Sequence, residues 1–168
     1  IHLVGLLSDG SVHSHIDHFK AIIDYFSKVN FQNEIYIHAI TDGRDTPPNV
    51  SLNYLLDIDK FCLERGTGKI GTFVGRYYAM DRNKKWDRTQ RAYYLLEKNF
   101  GEKFPTYQKA IEEYYNRGIT DEFLEPTVVN PSIVQKNDVV IFVNFRPDRS
   151  LQLAEAFASE DFSGFSRE

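Results

Sequence analysis

Several residue types are scarce in this sequence of 168 residues, which has one cysteine, one methionine and one tryptophan. The lone cysteine, Cys62, has no partner for an internal disulfide, as is usual for proteins of a reducing compartment. No apolar stretch reaches the roughly 18 residues that a membrane span needs. The first residues also lack the pattern of a signal peptide. We therefore expect a cytoplasmic protein with no membrane partner.

The chain also lacks a strong charge of either sign. Its 20 Lys and Arg against 24 Asp and Glu give a formal net charge of −4, which argues against a general nucleic-acid binder. Three catalytic or cofactor signatures are absent: G-x-G-x-x-G after the first strand, G-x-x-x-x-G-K-[ST], and G-x-S-x-G. Dinucleotide binding, P-loop chemistry and an α/β-hydrolase nucleophile therefore have no support.

What is present is enough apolar material for one folded core, with 42% hydrophobic and 14% aromatic residues. Four short apolar runs, 3–7, 35–40, 70–74 and 139–143, are typical of buried parallel strands. Helical periodicity separates them. This alternation predicts an α/β fold, a three-layer α-β-α sandwich with a mostly parallel sheet.

The helix boundaries can also be predicted. Ser14 with Asp17 resembles a capping box at the start of the first helix. The second helix should run from near residue 48 to residue 65, with Gly66 as its stop. Further helices are expected around 86–96, around 107–114 with an end near Gly118, and from about 148–151 onward. Residues 119–137 are predicted to be an irregular excursion over the surface.

Arginine is concentrated in the segments that follow the predicted strands. The chain has ten Arg and ten Lys, and five of the Arg but none of the Lys lie after the second, third and fourth strands. These five are Arg44, Arg76, Arg82, Arg146 and Arg149. Ligands of open α/β sheets bind at the carboxyl ends of the strands, and arginine suits bidentate binding of carboxylate or phosphate. The pattern predicts a site for a small, highly anionic molecule, because the arginines would otherwise repel one another.

Two further residues are candidates for the same site. His13 should lie near the N-terminus of the first helix, where an anion is favoured, although a helix-capping role is an equal alternative. Asp45 is placed to accept a proton from a substrate hydroxyl. Asp42 can be explained as a turn residue. The pair His13 and His15 lacks the compact ligand set of a metal site.

The segments 5–15, 42–48, 75–82 and 144–149 resemble those of the cofactor-independent phosphoglycerate mutases. Members of this family interconvert 3-phosphoglycerate and 2-phosphoglycerate, in glycolysis and gluconeogenesis, without 2,3-bisphosphoglycerate. The resemblance extends over nearly the whole chain. One departure is Ser11, which stands where the family more often has glycine.

The resemblance implies a two-domain, monomeric enzyme of which this chain is the inserted substrate-binding domain, residues 1–162. Residues 163–168 would begin the linker to a domain that binds two divalent metals, usually manganese, and carries a phosphorylated serine. His13, Arg44, Arg76, Arg82, Arg146 and Arg149 would hold the substrate, and Asp45 would be the acid/base. No metal ligand is expected here, and the chain alone would be inactive. The alternative is a stand-alone regulatory module that binds phosphorylated metabolites or phosphopeptides.

Overall fold

The computed structural model describes residues 1–167, in which strands and helices alternate. Their order along the chain is β1 (His2–Leu6), α1 (Ile16–Lys28), β2 (Tyr36–Thr41), α2 (Ser51–Arg65), β3 (Lys69–Gly75), α3 (Arg76–Ala79), α4 (Trp86–Lys98), β4 (Glu102–Lys103), α5 (Tyr107–Asn116), β5 (Thr127–Val128), β6 (Val140–Phe142) and α6 (Leu151–Ala158). Two 3₁₀ turns, Asp121–Phe123 and Pro147–Arg149, precede β5 and α6. No helix within these residues is long and apolar enough to cross a bilayer.

The strands form one sheet in the order β4-β5-β3-β2-β1-β6. The four strands predicted from the sequence, β1, β2, β3 and β6, pair in parallel. The short strand β5 runs antiparallel to β3, and β4 runs parallel to β5. The mostly parallel sheet is therefore confirmed, and the carboxyl ends of its four principal strands meet at one edge.

Helices cover both faces of this sheet, as the near-continuous apolar strands predict. Leu3, Ile37 and Phe73 point to the face that α1, α2 and α5 cover, with fully buried Phe19 and Tyr114 among the helix residues. The alternate strand residues belong to the other core, under α4 and α6. The three-layer α-β-α architecture is confirmed.

The ends of the helices differ partly from the predicted ones. The Ser14–Asp17 capping box is wrong: His15 is the N-cap of α1, and its ring Nδ1 accepts a hydrogen bond from the Asp17 backbone N–H. Helix α2 begins at Ser51, a few residues after the predicted start. It ends at Gly66, whose φ of 67° is the left-handed cap predicted for it.

The prediction of an irregular surface excursion over residues 119–137 is wrong for its first part. Asp121, Leu124 and Thr127 are completely buried. The Asp121 carboxylate accepts hydrogen bonds from the backbone N–H groups of Val50 and Ser51 and so caps the start of α2. This cap comes from 70 residues away along the chain, so no local pattern could reveal it.

The residues after the predicted domain boundary pack against the domain. The Phe165 ring lies 4.7 Å from the ring of Phe162 and 5.2 Å from that of Tyr93, and Trp86 contacts both phenylalanines. The boundary at residue 162 stays a prediction.

A chain of buried polar groups crosses three strands. His2 Nε2 lies 3.1 Å from Asp138 Oδ2, His2 Nδ1 lies 2.8 Å from His38 Nε2, and His38 Nδ1 lies 2.8 Å from Thr72 Oγ1. Because the Asp138 carboxylate can only accept, His2 Nε2–H donates to it. His38 Nε2–H then donates to His2, and the Thr72 hydroxyl donates to His38. This arrangement satisfies both rings in their neutral form, which their burial favours.

Burial lowers the pKa of both histidines, that of His38 to about 3. The unfolded chain would bind these protons near pH 6.5, so it holds more protons than the folded chain at mildly acidic pH. We therefore expect the free energy of unfolding to be highest above pH 6.5 and to fall below it, with His38 contributing about 1.4 kcal/mol per pH unit and His2 adding to the fall. Urea denaturation between pH 7 and pH 5 measures this slope.

The matched variant is His38→Gln, which keeps a donor and an acceptor but cannot be protonated. Its stability should depend less steeply on pH over the same interval. Equal slopes in the two proteins would show that the buried histidine chain does not govern acid stability.

Candidate functional site

The segments that follow β1, β2, β3 and β6 meet at one edge of the sheet, where residues that follow β2, β3 and β6 line a cavity of about 170 Å³. Its lining consists of Arg44, Arg76, Arg82, Arg88 and Arg149 with Tyr77, Met80, Asp81, Asn83 and Glu122. Four of the predicted arginines therefore share one cavity. Arg146, His13 and Asp45 lie outside this lining. Asp45 pairs with Arg76, Arg146 pairs with Asp148, and His13 lies near both carboxylates.

Asp42 is the buried centre of this edge, with none of its surface exposed. Its Oδ2 accepts a hydrogen bond of 2.7 Å from the Ser8 hydroxyl, and its Oδ1 accepts one of 2.7 Å from Arg76 Nη1. The same Oδ1 accepts from the backbone N–H groups of Arg44 and Asp45. Burial alone would raise the pKa of Asp42, but these hydrogen bonds outweigh it and hold the pKa below its usual value.

Arg76 joins the segment after β3 to the segment after β2. It is 5% exposed, and its Nη1 lies 2.7 Å from both Asp42 Oδ1 and Asp45 Oδ2. Burial would lower the pKa of this guanidinium, but hydrogen bonds to Asp45 and Asp42 raise it above its usual value. Arg76 is therefore a structural ion-pair partner as well as a residue that lines the cavity.

His13 lies two residues before the N-cap of α1, close to the predicted place. It is 3% exposed, with Nε2 at 3.9 Å from Asp45 Oδ2 and Nδ1 at 3.6 Å from Asp148 Oδ1. Its Nδ1 makes no hydrogen bond with the described residues. Burial and the charge of Arg76 lower the pKa of His13, which favours a neutral ring with one nitrogen free to accept or donate.

Asp148 is a carboxylate that the sequence argument passed over, although it stands between two of the predicted arginines. Its Oδ2 accepts a 2.9 Å hydrogen bond from Arg82 Nη1, and its Oδ1 lies 2.9 Å from Arg146 Nε. Burial would raise the pKa of Asp148, but Arg82 and Arg146 hold it below its usual range. The expectation that the arginines have only an external anion to neutralise them is therefore wrong, because the protein supplies internal carboxylates.

The neutralisation is incomplete around Arg149. Its Nη1 donates to the backbone carbonyl of Met80 at 3.2 Å. Burial, followed by the positive charges of Arg82, Arg76 and Arg44, lowers the pKa of Arg149 below its usual value. Arg149 thus lies among other guanidinium groups in the cavity, an arrangement that favours the binding of an anion.

The comparisons with known proteins agree with this arrangement. A family described as "BPG-independent PGAM N-terminus (iPGM_N)" matches residues 1–168. The chain belongs to this family. The resemblance inferred from the four strand-end segments is thereby confirmed.

Individual relatives give the same result. The 2,3-bisphosphoglycerate-independent phosphoglycerate mutase of Clostridium novyi is 46% identical over the whole chain, which covers 34% of that protein. The one of Symbiobacterium thermophilum is 47% identical over 99% of the chain and 32% of its own length. A crystal structure of Leishmania mexicana phosphoglycerate mutase, obtained at low cobalt concentration, superposes with a TM-score of 0.92 at 29% identity over 98% of the chain. The chain spans about a third of the length of these relatives.

The side chains around this cavity are not arranged as a metal centre. Residues 1–167 contain no group of three or more His, Cys, Asp or Glu side chains that could hold a metal ion. The carboxylates nearest to His13 are engaged by arginines, since Asp45 pairs with Arg76 and Asp148 with Arg82. No chemical step is therefore assigned to a metal bound by these residues.

Two larger open clefts, of about 600 and 630 Å³, lie at the opposite edge of the sheet. They border the starts of the strands, at residues such as His2, Tyr36 and Lys69. None of the predicted site residues lines either cleft. Size alone therefore does not identify the site, and the convergence of arginines does.

The buried pair of Asp42 and Arg76 can be tested by Asp42→Asn. The substitution removes a charge from a fully buried network and leaves Arg76 with Asp45 as its remaining carboxylate. Breaking a buried ion pair typically costs 3–5 kcal/mol, and because Arg76 keeps one partner we expect a loss of about 3 kcal/mol in the free energy of unfolding. Urea denaturation at pH 7 measures it.

Asp57→Asn is the control, because it removes a surface ion pair of the same length, between Lys20 Nζ and Asp57 Oδ2 at 2.7 Å. An exposed pair should contribute less than about 1 kcal/mol. Similar losses in the two variants would contradict the central role given to Asp42.

Proposed function

We propose that this chain is the substrate-binding domain of an isomerase that interconverts 3-phosphoglycerate and 2-phosphoglycerate. The observation that carries the proposal is the convergence of Arg44, Arg76, Arg82 and Arg149 on one cavity of about 170 Å³ at the carboxyl edge of the sheet. Membership of the mutase family supplies the chemistry of the anion. A three-carbon acid with one carboxylate and one phosphate suits both the size and the sign of the cavity.

The arginines would act by position and charge. Arg44 and Arg82 are about half exposed, so they can move onto a ligand, whereas buried Arg76 is fixed by two carboxylates. A mixed set of fixed and mobile guanidinium groups can orient the glycerate and still accept two positional isomers of the phosphate. Phosphoryl transfer depends above all on such positioning and charge neutralisation.

Asp45 would exchange a proton with the glycerate hydroxyl groups. Its side chain is 22% exposed, so it remains accessible while Oδ2 is paired with Arg76. His13 Nε2 lies 3.9 Å from the same oxygen. A carboxylate with a fixed position and a neutral imidazole beside it is a suitable acid/base arrangement for hydroxyl groups.

The rest of the reaction would belong to the part of the protein outside this chain. In this proposal a serine of the other domain takes the phosphoryl group, the glycerate reorients on the arginines, and the group returns to the other hydroxyl. Divalent metals, with manganese expected, would stabilise the transferred group there. The two domains of one monomer would close over the site, because water would otherwise hydrolyse the phosphoserine.

The arginine site predicts opposite effects of Arg149→Met on binding and on stability. Removing a guanidinium from an anion site should weaken binding of 3-phosphoglycerate about tenfold. Stability should stay the same or rise, because neighbouring arginines disfavour the Arg149 charge. NMR titration of the 168-residue chain gives the dissociation constant, and thermal unfolding gives the stability.

Arg117→Met is the control, since Arg117 is an exposed arginine that does not line the cavity and pairs with Glu102. It should leave the affinity unchanged. Shifts in the titration that map away from the four strand-end segments would count against the proposed site.

The division of labour between domains predicts that the chain alone does not turn over. With manganese and 3-phosphoglycerate, the 168-residue chain should form no 2-phosphoglycerate above the buffer background, whereas the full-length protein should. Phosphorus NMR distinguishes the two isomers directly. Turnover by the chain alone would contradict the proposal that the phosphorylated serine and the metals lie elsewhere.

A further inference from the structure

A fifth arginine lines the cavity without coming from a strand-end segment. Arg88 belongs to the first turn of α4, and the sequence argument gave it no role. Its side chain is 29% exposed and reaches the cavity beside Arg82 and Arg149. Two features bear on whether Arg88 is only structural or also binds a ligand. They are its stacking on the Tyr77 ring and its distance from the Asp81 carboxylate.

The position of the Arg88 guanidinium is fixed by stacking. Its central carbon lies 3.8 Å from the centroid of the Tyr77 ring, a close cation–π contact. Stacking restrains a long side chain before any ligand arrives, so less entropy is lost when it forms hydrogen bonds. Arg88 is therefore pre-organised at the cavity wall.

The charge of Arg88 is only partly balanced by its nearest carboxylate. Arg88 Nη1 lies 3.8 Å from Asp81 Oδ1, beyond hydrogen-bond distance. The other oxygen, Asp81 Oδ2, accepts hydrogen bonds from the backbone N–H groups of Asn83 and Lys85 and from Gln152 Nε2. Asp81 thus uses most of its capacity to hold its own loop.

Arg91, on the same helix, shows what a purely structural arginine of this type looks like. It stacks on Tyr78, the neighbour of Tyr77, at 4.5 Å, and it forms a direct ion pair with Glu125. It does not line the arginine cavity but a different cleft, together with Glu125. Arg88 and Arg91 can therefore be compared directly. Each stacks on a tyrosine, but only Arg91 has its charge balanced by a direct ion pair.

The charge of the cavity favours a ligand role for Arg88. Five arginines and two carboxylates, Asp81 and Glu122, line it, and from outside the lining Asp42 and Asp45 pair with Arg76 while Asp148 pairs with Arg82. A molecule with one carboxylate and one phosphate carries roughly −3 near neutral pH, because a phosphate monoester carries about −1.5 to −2. Arg88, whose nearest carboxylate lies beyond hydrogen-bond distance, is therefore one of the lining guanidinium groups open to such a ligand.

We propose that Arg88 is a substrate-binding residue, which donates guanidinium N–H groups to an anionic oxygen of the phosphoglycerate in this cavity. The inference rests on the proposed function and adds to it a residue on α4. In this role Tyr77 is the support that orients the guanidinium, and Asp81 keeps it from folding away from the cavity.

The test compares Arg88→Met with Arg91→Met in the 168-residue chain, by NMR titration with 3-phosphoglycerate. Arg88→Met should weaken binding about tenfold, the typical effect of losing one charge-assisted contact. Arg91→Met loses the same stacking contact one turn along the helix, so it should change the affinity less than about twofold. Arg88→Lys should lie between them, because it keeps the charge but loses the planar fork.

Thermal unfolding of each variant separates binding from folding. If Arg88→Met does not fold, the comparison of Arg88→Lys with Arg91→Lys replaces it, with a loss of affinity expected only in the first. Equal losses in the Arg88 and Arg91 variants, or an unchanged affinity in Arg88→Met, would overturn the role of Arg88 and leave the proposed function standing. A failure of the unmodified chain to bind 3-phosphoglycerate would overturn both.

Discussion

The ion pair between Asp42 and Arg76 is the contact on which the functional edge of this sheet depends. A carboxylate with no exposed surface is tolerated only when it is fully paired, since desolvation of a charge is costly. Asp42 meets this condition with groups from three different segments: the Ser8 hydroxyl after β1, two backbone N–H groups after β2, and Arg76 after β3. None of the three segments can move far without leaving that charge unsatisfied. The positions of Arg76 and of the Arg44 backbone are therefore a consequence of burying one carboxylate beneath them.

The fourth segment, after β6, is attached by a separate set of contacts. Arg149 donates to the Met80 carbonyl, the backbone N–H of Arg146 donates to the His13 carbonyl, and Gln152 at the start of α6 joins Asp81 to Thr89. The segments after β1, β2, β3 and β6 thus form a closed ring of contacts around the cavity. Closure of this kind pre-organises an anion site, because the guanidinium groups need little reorganisation when a ligand binds.

The sequence was sufficient for the features that local pattern determines and insufficient for those that tertiary contacts determine. Apolar runs located the four principal strands, and the arginine bias located the cavity, because parallel strands must end at a common edge. The capping of α2 by Asp121 could not be predicted, since the two lie 70 residues apart, and the same holds for Gln152 on Asp81. Arg88 was missed for a related reason: its helix position carries no signal until Tyr77 and the cavity are in place. Asp148 is different, because a carboxylate between two predicted anion ligands was visible in the segment itself.

The internal carboxylates change how the site should be understood under the proposed function. Arginines that faced only each other would bind a trianionic ligand strongly and destabilise the domain whenever that ligand, or its phosphoryl group, was absent. Internal carboxylates reduce both the excessive affinity and the destabilisation. Asp148 pairs with Arg82 and Arg146, Asp45 pairs with Arg76, and Glu122 lies near Arg44. When a phosphate arrives, the half-exposed arginines can exchange an internal carboxylate for it. When the phosphoryl group leaves, these arginines can pair with their internal carboxylates again, while buried Arg76 stays fixed. Under the proposed function, a clamp that retains glycerate through the loss of most of its charge would need this internal compensation, and the internal carboxylates would supply it.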